Sequence, residues 1–375
     1  MAIKPFTFDP ALTERFVQLE YDLYRGDPNW IPPNRESARA KFSPEFHFYN
    51  NPENLHSHFL AVENGKILGR ISAFINNDLK DRDGTKVGGI GFFECTENYF
   101  VAGELLMAAT TWLSRHGIRR IWGPINFDIW HGYRFKTGGW NYKTFFGEPD
   151  NKPYYPQFFE RFGFSVRQNW ESVQIAGKKT LEAMCQGGLK CRQQLLDRGY
   201  RFEAFNKHDF DGEIRKLHAI ISNSFSSFTG YTPISFSAFR NIISSSRVAL
   251  DPRLLIFFYD ERGSLAGFTG SFLEISDALR SMNGRSHVGA KLKFFYRRAQ
   301  AERVVFFFGG MSREEIQKRS RLGRAGFAYM VDQILQAGYD DVIFALMSQD
   351  SRARGSVHGY PAGGTCHYAL YELNQ

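Results

Sequence analysis

One order of elements, written twice, constrains this chain more than any other feature. "HFLAVENGKILGRISAF" alternates apolar and polar residues on both sides of Asn64-Gly65, and Asn-Gly between two alternating runs is the strongest short signal for a β-hairpin. An apolar strand, "GGIGFFEC", follows. "VAGELLMAATTWLSRHG" then places Leu105, Leu106, Ala109, Trp112 and Leu113 on one helical face and stops at Gly117, the pattern of an amphipathic helix with a glycine C-cap. "IRRIWGPINF" reads as strand, and "KPYYPQFFERFGFSV" as a short helix, a glycine turn and a last strand. In the second half "RLLIFFYDERGSLAGFTGSFLE" is a hairpin about Glu261-Arg262-Gly263, and "ERVVFFFGGMS" is a strand. A basic loop, a helix from about Leu322 to Ala337, the strand "DDVIFALMS", the short segment "QDSRARGSVHGY" and the closing strand "CHYALYEL" complete the repeat. A helical segment stands before each hairpin, "PALTERFVQLEYDLYRG" in the first half and "GEIRKLHAIISNSFSSF" in the second.

Strands and helices interleaved in both halves predict an α/β (α+β) fold, each half a mixed central sheet flanked by helices. The length of 375 residues exceeds what one core usually supports, so two domains are expected. Their division is read as 1–175 and 176–375, with the boundary near "QIAGKKTLEAMCQGG", residues 174–188.

Hydrophobic residues at 43% supply two packed cores, and 37 Phe within an aromatic fraction of 16% suit apolar grooves as well as core. The four cysteines form no C-x-x-C pair and no zinc spacing, which points to reduced thiols in a cytoplasm. "MAIKPFTFDPALTERF" has no signal-peptide run, and no window approaches the roughly eighteen apolar residues of a transmembrane segment. Net charge is +8. From Arg280 to Arg324 there are twelve Lys and Arg against Glu302, Glu314 and Glu315, so that segment accounts for the whole imbalance and calls for an anion.

The loop "Ser320-Arg321-Leu322-Gly323-Arg324-Ala325" follows an apolar strand and opens a helix. A helix N-terminus offers unpaired N–H groups and a partial positive charge, and glycine lets the backbone approach a phosphate closely. This order of elements resembles the GNAT acyltransferase superfamily, in which a loop of the form (Gln or Arg)-x-x-Gly-x-(Gly or Ala) holds the pyrophosphate of acyl-coenzyme A. Here Ser320 stands where Gln or Arg is usual, with Arg319 and Arg321 beside it. The first half, with "FFECTENYFVAGELL", has no such loop. "LYRGDPNWIPP", "FLAVENGKILGRISAF", "RRIWGPINF" and "NKPYYPQFFERFGF" are similar to a bacterial tandem-GNAT family that includes ceramide synthases, over nearly the whole chain.

The resemblance implies two tandem GNAT-like domains, a degenerate one on the acceptor side and a second one holding acyl-CoA or an acyl carrier protein. Donor contacts are expected from Phe308, Gly309, Gly310, Met311 and Ser312 along the pantetheine, and from Arg319, Arg321, Leu322, Gly323, Arg324, Ala325 and Gly326 around the phosphates. The reaction is attack of a primary amine on a thioester, which needs a base, a polarising donor and an acid. The superfamily's usual tyrosine is replaced by Val357, so His358 and Tyr360 are the candidate acids. Glu94, after two phenylalanines on an apolar strand, is the candidate base, since desolvation raises a carboxyl's pKa. Asn126, Asp128, Trp130, His131 and Tyr133 in "NFDIWHGYRF" form the acceptor-side candidate. The aromatic segments "NYKTFF", "KPYYPQFF" and "KLKFFYRR" suggest a partly hydrophobic acceptor or acyl chain between the domains.

No metal site is read from the ten histidines, and His56 and His58 on one strand face have no identifiable partner. Walker loops and Gly-x-Ser-x-Gly elbows are absent. Nucleic-acid modules are absent too, so no DNA partner is expected, although aminoacyl-tRNA stays open as a donor. A ligand-binding or scaffold protein of the same fold without catalysis is the other open reading.

Overall fold

The computed structural model describes residues 1–375, the side chain of Phe308 excepted. The first half opens with β1 (Ala2–Phe6), α1 (Pro10–Leu23), α2 (Arg35–Ala40), β2 (Leu55–Glu63), β3 (Lys66–Lys80) and β4 (Lys86–Cys95). It continues with α3 (Tyr99–Arg115), β5 (Arg120–Gly123), β6 (Ile125–Asn126), β7 (Asp128–Tyr133), β8 (Phe135–Gly138), α4 (Tyr155–Phe162) and β9 (Ser165–Ala176). The second half begins with α5 (Lys178–Asp197), β10 (Arg201–Ala204), α6 (Phe210–Ser224), α7 (Phe236–Ser245), β11 (Leu250–Tyr259) and β12 (Leu265–Leu273). After α8 (Ser276–Met282) and α9 (Val288–Arg298) come β13 (Val304–Met311), α10 (Arg313–Lys318), α11 (Leu322–Gln336), β14 (Asp341–Ser348), α12 (Arg352–Val357) and β15 (Gly364–Asn374).

Both hairpins form where the alternation placed them, with Asn64 and Gly65 at positive φ in the first turn and Gly263 in the second. Residues 174–188, read as the boundary, form the end of β9 and the first half of α5, whose Leu181, Met184, Cys185 and Gly188 repeat at helical spacing and are buried. One segment differs from the reading. "IRRIWGPINF" is broken into β5 and β6 at Pro124, which has no N–H for a ladder.

Twelve strands form one path in the order β1-β2-β3-β4-β5-β15-β9-β14-β13-β12-β11-β10, with β8 attached to β15 as the thirteenth. The last strand of each half is therefore exchanged. β9 of the first half pairs with β14 over Trp170–Ala176, and β15 of the second half pairs with β5 over Tyr371–Asn374. The two exchanged strands meet each other along Ser165–Gln174 and Gly364–Glu372 and close the sheet. Helices α5 and α11 cover the second half over a core that includes Leu181, Leu195, Phe258, Leu322 and Ala328, while α3 and α4 cover the first half over Ile90, Leu105, Leu113 and Phe159.

Parallel pairing occurs between β4 and β5 and between β13 and β14, and in both it is short. It spans Val87–Gly89 with Arg120–Trp122 in one half, and Val304–Phe306 with Val342–Phe344 in the other. Past those residues the strands part, leaving two splays. β5 runs antiparallel to β15, β15 to β9 and β9 to β14, so the β4/β5 pair and the β13/β14 pair point in opposite directions. The splays open at opposite ends of the sheet, and five inter-strand steps of ~4.8 Å put their strands about 24 Å apart.

Candidate active site

At the first splay β4 is bent before it ends. Gly91 lies against β6 so closely that a Cβ there would come 1.9 Å from the carbonyl oxygen of Ile125. Phe92 follows at positive φ, and its N–H donates to Asn126 Oδ1 at 2.7 Å. This bend brings Glu94 to a cavity of about 330 Å³ that Asn126, Tyr133, Arg134, Arg70, Lys41 and Asp150 also line. Glu94 is buried. Its Oε2 accepts the Tyr155 hydroxyl at 2.8 Å, and its Oε1 lies 3.8 Å from the Arg70 guanidinium.

Burial pushes the Glu94 carboxyl up to about 8, with Glu20 and Asp150 repelling its charged form and Arg70 and Tyr155 only partly offsetting them. Asp150 is raised to about 6, again chiefly by burial and then by Glu148. Desolvation lowers Lys41. Arg134 lies 3.9 Å from the Tyr133 ring and 4.4 Å from that of Trp170, and its buried Nε and Nη1 have no hydrogen-bond partner among the described residues. Two carboxyls that titrate near neutrality and a cation held by aromatic faces mark this cavity as a chemically poised, polar space.

The other acceptor-side candidates lie outside it. Asp128 accepts from the N–H groups of Trp130 (2.8 Å) and His131 (3.1 Å) and from His131 Nδ1 (2.7 Å), all at Oδ1, and Oδ2 lies 3.4 Å from His47 Nε2. Those contacts hold the Asp128 carboxyl down to about 2 against its burial. His47, Asp128 and His131 thus place ligating atoms within 4.8 Å of one another. The sequence reading saw no metal grouping because His47 is 81 residues from Asp128. Trp130 points to the second half, where Nε1 donates to Thr232 O at 3.0 Å and the ring meets Tyr231 and Phe239 edge-on.

At the second splay, Met311, Gly310 and Gly309 pair with Gly267, Phe268 and Thr269 of β12, and their other edge is free of β14. The side chain of Phe308 lies outside the described residues. Ser312 is engaged by the protein: its N–H donates to Ala266 O and its hydroxyl accepts from Glu315 N at the head of α10. α10 stands between the strand and the basic loop, an element the sequence reading did not place.

The loop itself holds Arg319 and Arg321 at φ 49° and 64°, a strained choice for residues with a Cβ. Both border a cavity of about 470 Å³ with Arg198, Lys318 and Ser320. Leu322 and Ala325 are buried in the core, and Gly326 packs on Phe258, whose ring carbon a Cβ would meet at 2.4 Å. Gly323 faces Met311, and Arg324 crosses α5 beside Gly187. What this loop offers an anion is the N–H groups of the first turn and the side chains of Arg319 and Arg321.

His358 and Tyr360 form a third group. His358 Nε2 and Arg354 Nε both reach Glu171 on β9; burial raises the Glu171 pKa, but the hydrogen bonds from Arg354 and His358 lower it on balance. The Tyr360 hydroxyl lies 3.5 Å from Ala183 O on α5. Thus the candidates fall into separate places: Glu94, Asn126 and Tyr133 at the first splay, Asp128 and His131 beside His47, the glycine–arginine loop at the second splay, and His358 on Glu171.

No family model matches the chain. It is 24% identical over 280 residues to the bacterial ceramide synthase of Caulobacter vibrioides (strain NA1000 / CB15N), covering 74% of this chain and 71% of that one. A tandem GNAT protein from the clavulanic acid biosynthesis pathway superposes on 100% of this chain and 98% of its own, with TM-score 0.51 at 10% identity. The chain has the tandem GNAT fold. A GCN5-related N-acetyltransferase from Anabaena variabilis ATCC 29413 gives TM-score 0.53 over 99% of this chain and 72% of its own, at 9% identity. Within the GNAT fold, the two splays described above are one per half, and the exchanged β9 and β15 join the halves into a single sheet. Among the described residues, no helix is long and apolar enough to cross a membrane.

Proposed function

We propose that the protein is an N-acyltransferase that moves an acyl group from a phosphopantetheine thioester, on coenzyme A or on a carrier protein, to a primary amine. The observation that carries this reading is Glu94, a buried carboxyl held near pH 8 in a polar cavity at the mouth of the first splay. An amine must lose a proton as its nitrogen attacks the thioester carbon, and a base with a pKa close to the working pH takes it best. Tyr155 is a positioning residue. Its hydroxyl is pushed well above its ordinary pKa by burial and then by Glu94, so it remains a donor that fixes the carboxylate.

Since the splays open at opposite ends of the sheet, one transfer step uses one of them. The buried carboxyl of Glu94 is what supports the first half as the place of the chemistry. There α3 begins behind Asn98, with no glycine loop, and Arg161 over the Tyr99 ring is the nearby cation. A donor with a single phosphate, such as phosphopantetheine on a carrier protein, asks least of that helix end. The second reading places the donor in the second half, and what favours it is the left-handed Arg319 and Arg321 around a cavity at the head of α11.

For the acceptor, the name of the Caulobacter vibrioides relative supports a long-chain amine. The cavity supports a polar head at the amine end. Of the aromatic segments, Phe145, Tyr155, Phe159 and Phe294 are core, whereas Phe295 and Tyr296 are exposed on α9, so these rings do not form one continuous groove for an acyl or alkyl chain. The test is free-thiol release from acyl-coenzyme A and acyl carrier protein offered with a panel of primary amines of increasing chain length. Release that depends on the amine supports transfer, and release with no amine dependence for either donor overturns it.

A further inference from the structure

The basic excess of the sequence divides in two. Arg303 just before β13, with Arg313, Lys318, Arg319, Arg321 and Arg324 of α10, α11 and the loop between them, makes one group, whereas Arg280, Arg285, Lys291, Lys293, Arg297 and Arg298 lie on α8, α9 and the turn between them. No Asp or Glu occurs between Asp277 and Glu302. That second group lines neither the cavity at Glu94 nor the cavity at Arg319 and Arg321, Arg280 and Arg285 bordering a third one.

α9 seats itself on the body through Ala290 and Phe294, which are buried one turn apart. Its outer face is apolar. Val288, Leu292, Phe295 and Tyr296, spaced by three and four residues, are 75%, 67%, 58% and 67% exposed, so four large apolar side chains form one stripe on an eleven-residue helix. Lys291, Lys293 and Arg297 lie on the same helix, between and beside these residues.

A contiguous apolar stripe left in water marks an interaction surface, and the charge around it selects the partner. A second copy of this chain would bring the same cations face to face. A helix with aromatic and aliphatic residues outward, cations at its margins and no acid has the pattern that lies in the plane of a membrane interface, where the long basic side chains reach headgroup phosphates while their stems follow the apolar surface. We propose that α9 docks the protein on an anionic phospholipid bilayer, lying on its surface without crossing it. The inference stands on the exposure and charge of α9 and does not rest on the acyltransferase reading.

Sedimentation of the full chain with vesicles tests it. Vesicles of phosphatidylcholine alone are compared with vesicles of phosphatidylcholine and phosphatidylglycerol in equal parts. The wild type should partition at least about ten-fold more strongly onto the anionic vesicles. Leu292→Asp with Phe295→Asp should remove that binding while the thermal unfolding temperature holds, both positions being exposed. Lys291→Glu with Lys293→Glu should remove the preference for phosphatidylglycerol. Failure of the wild type to bind anionic vesicles, or binding that the Asp pair leaves unchanged, overturns the proposal. So does a dimer in sedimentation velocity that the Asp pair dissociates, since the occupant of the stripe would then be a second copy.

Discussion

Tyr155 donates its hydroxyl to Glu94 at 2.8 Å while the same oxygen receives the N–H of Cys95 at 2.9 Å. The tyrosine comes from the first turn of α4 and the glutamate from the end of β4, 61 residues earlier. The pair therefore fixes the carboxyl relative to the strand edge that parts from β5. Tyr154 adds a second hydroxyl, donated to Cys95 O at 2.9 Å. A strand end held at both its N–H and its carbonyl is a rigid platform, and the first half has no glycine loop. This fixed geometry at Glu94 supports the proposal that the first half carries the chemistry.

Replacing Glu94 with Gln keeps the size and the Tyr155 contact but removes the base. Turnover with a primary amine should fall about 10²- to 10⁴-fold. In the wild type, kcat/KM should rise with pH to a plateau with a midpoint near 8, and Tyr155→Phe should move that midpoint upward, because the phenol favours the ionised carboxylate. A Gln variant with undiminished turnover would remove Glu94 from the reaction.

The same carboxyl makes a separate prediction for folding. Between its ordinary value of 4.5 and about 8, the folded chain keeps a proton on Glu94 that the unfolded chain has released. The folded state then binds more protons, so stability falls as pH rises through that window and is level above it. Asp150, raised to about 6, contributes in the same direction. Glu94→Gln should lie progressively above the wild type in unfolding temperature from pH 5 to pH 8. A difference that stays constant with pH would show that the carboxyl is not held protonated by burial.

Arg280 separates what the basic run looks like from what it does. At the head of a cation-rich segment it reads as a solvated charge, yet its guanidinium donates to the carbonyls of Asn29 and Thr144, joining α8 to two loops of the first half. Arg280→Ala should lower stability by about 1–3 kcal/mol in denaturant unfolding and leave the KM for the donor unchanged. An effect on donor KM with stability intact would return Arg280 to a binding role.

Much of the chain was legible because its signals are local. The Asn64-Gly65 turn, the face of α3 and the glycine stops follow from propensity and period, and they appear where the residues put them. The burial of Glu94 agrees with the expectation that a carboxyl after Phe92 and Phe93 on an apolar strand is desolvated, although which way its side chain turns depends on the bend at Gly91 and Phe92. The exchange of β9 and β15 was not legible. Both strands carry the same apolar alternation that pairing within their own halves would require, and no residue in either one records which neighbour it will meet. The approach of His47 to Asp128 was equally hidden, because it depends on where the turn at His47–Asn50 is set against β7. α10 escaped because its apolar content is a single residue, Ile316.

Which half performs the transfer can be decided by two variants. Gly323 faces Met311, and a Cβ there would come within 2.9 Å of the methyl end of that flexible side chain, so Gly323→Val should fold. If the chemistry is at the first splay, Gly323→Val leaves amine acylation within about two-fold of the wild type while Glu94→Gln abolishes it, since about 24 Å of sheet lies between them. The reverse pattern, donor KM raised by Gly323→Val with Glu94→Gln active, would move the donor to the glycine–arginine loop.

The exchanged strands make the strongest claim about the whole molecule. β15 is hydrogen-bonded on one side to β5 and on the other to β9, and β8 also pairs with it at His367–Ala369. Its Tyr368 hydroxyl donates to Glu148, a buried carboxylate 3.0 Å from the buried ammonium of Lys136. Breaking such a pair by removing one partner costs about 3–5 kcal/mol, because the other charge stays buried without compensation. Glu148→Gln should therefore lower the stability of the full chain by about that amount. Deleting residues 364–375 goes further, since it takes the central strand from the sheet and exposes the edges of β5 and β9 together, one in each half's strand order. The two halves should then lose cooperative unfolding at once, seen as loss of protection in β4 and β5 as well as in β13 and β14 by hydrogen exchange. A truncated chain in which β2, β3 and β4 keep their protection would show that the first half folds without its partner's strand, and the exchange would be a joint between two finished domains instead of the element that completes them.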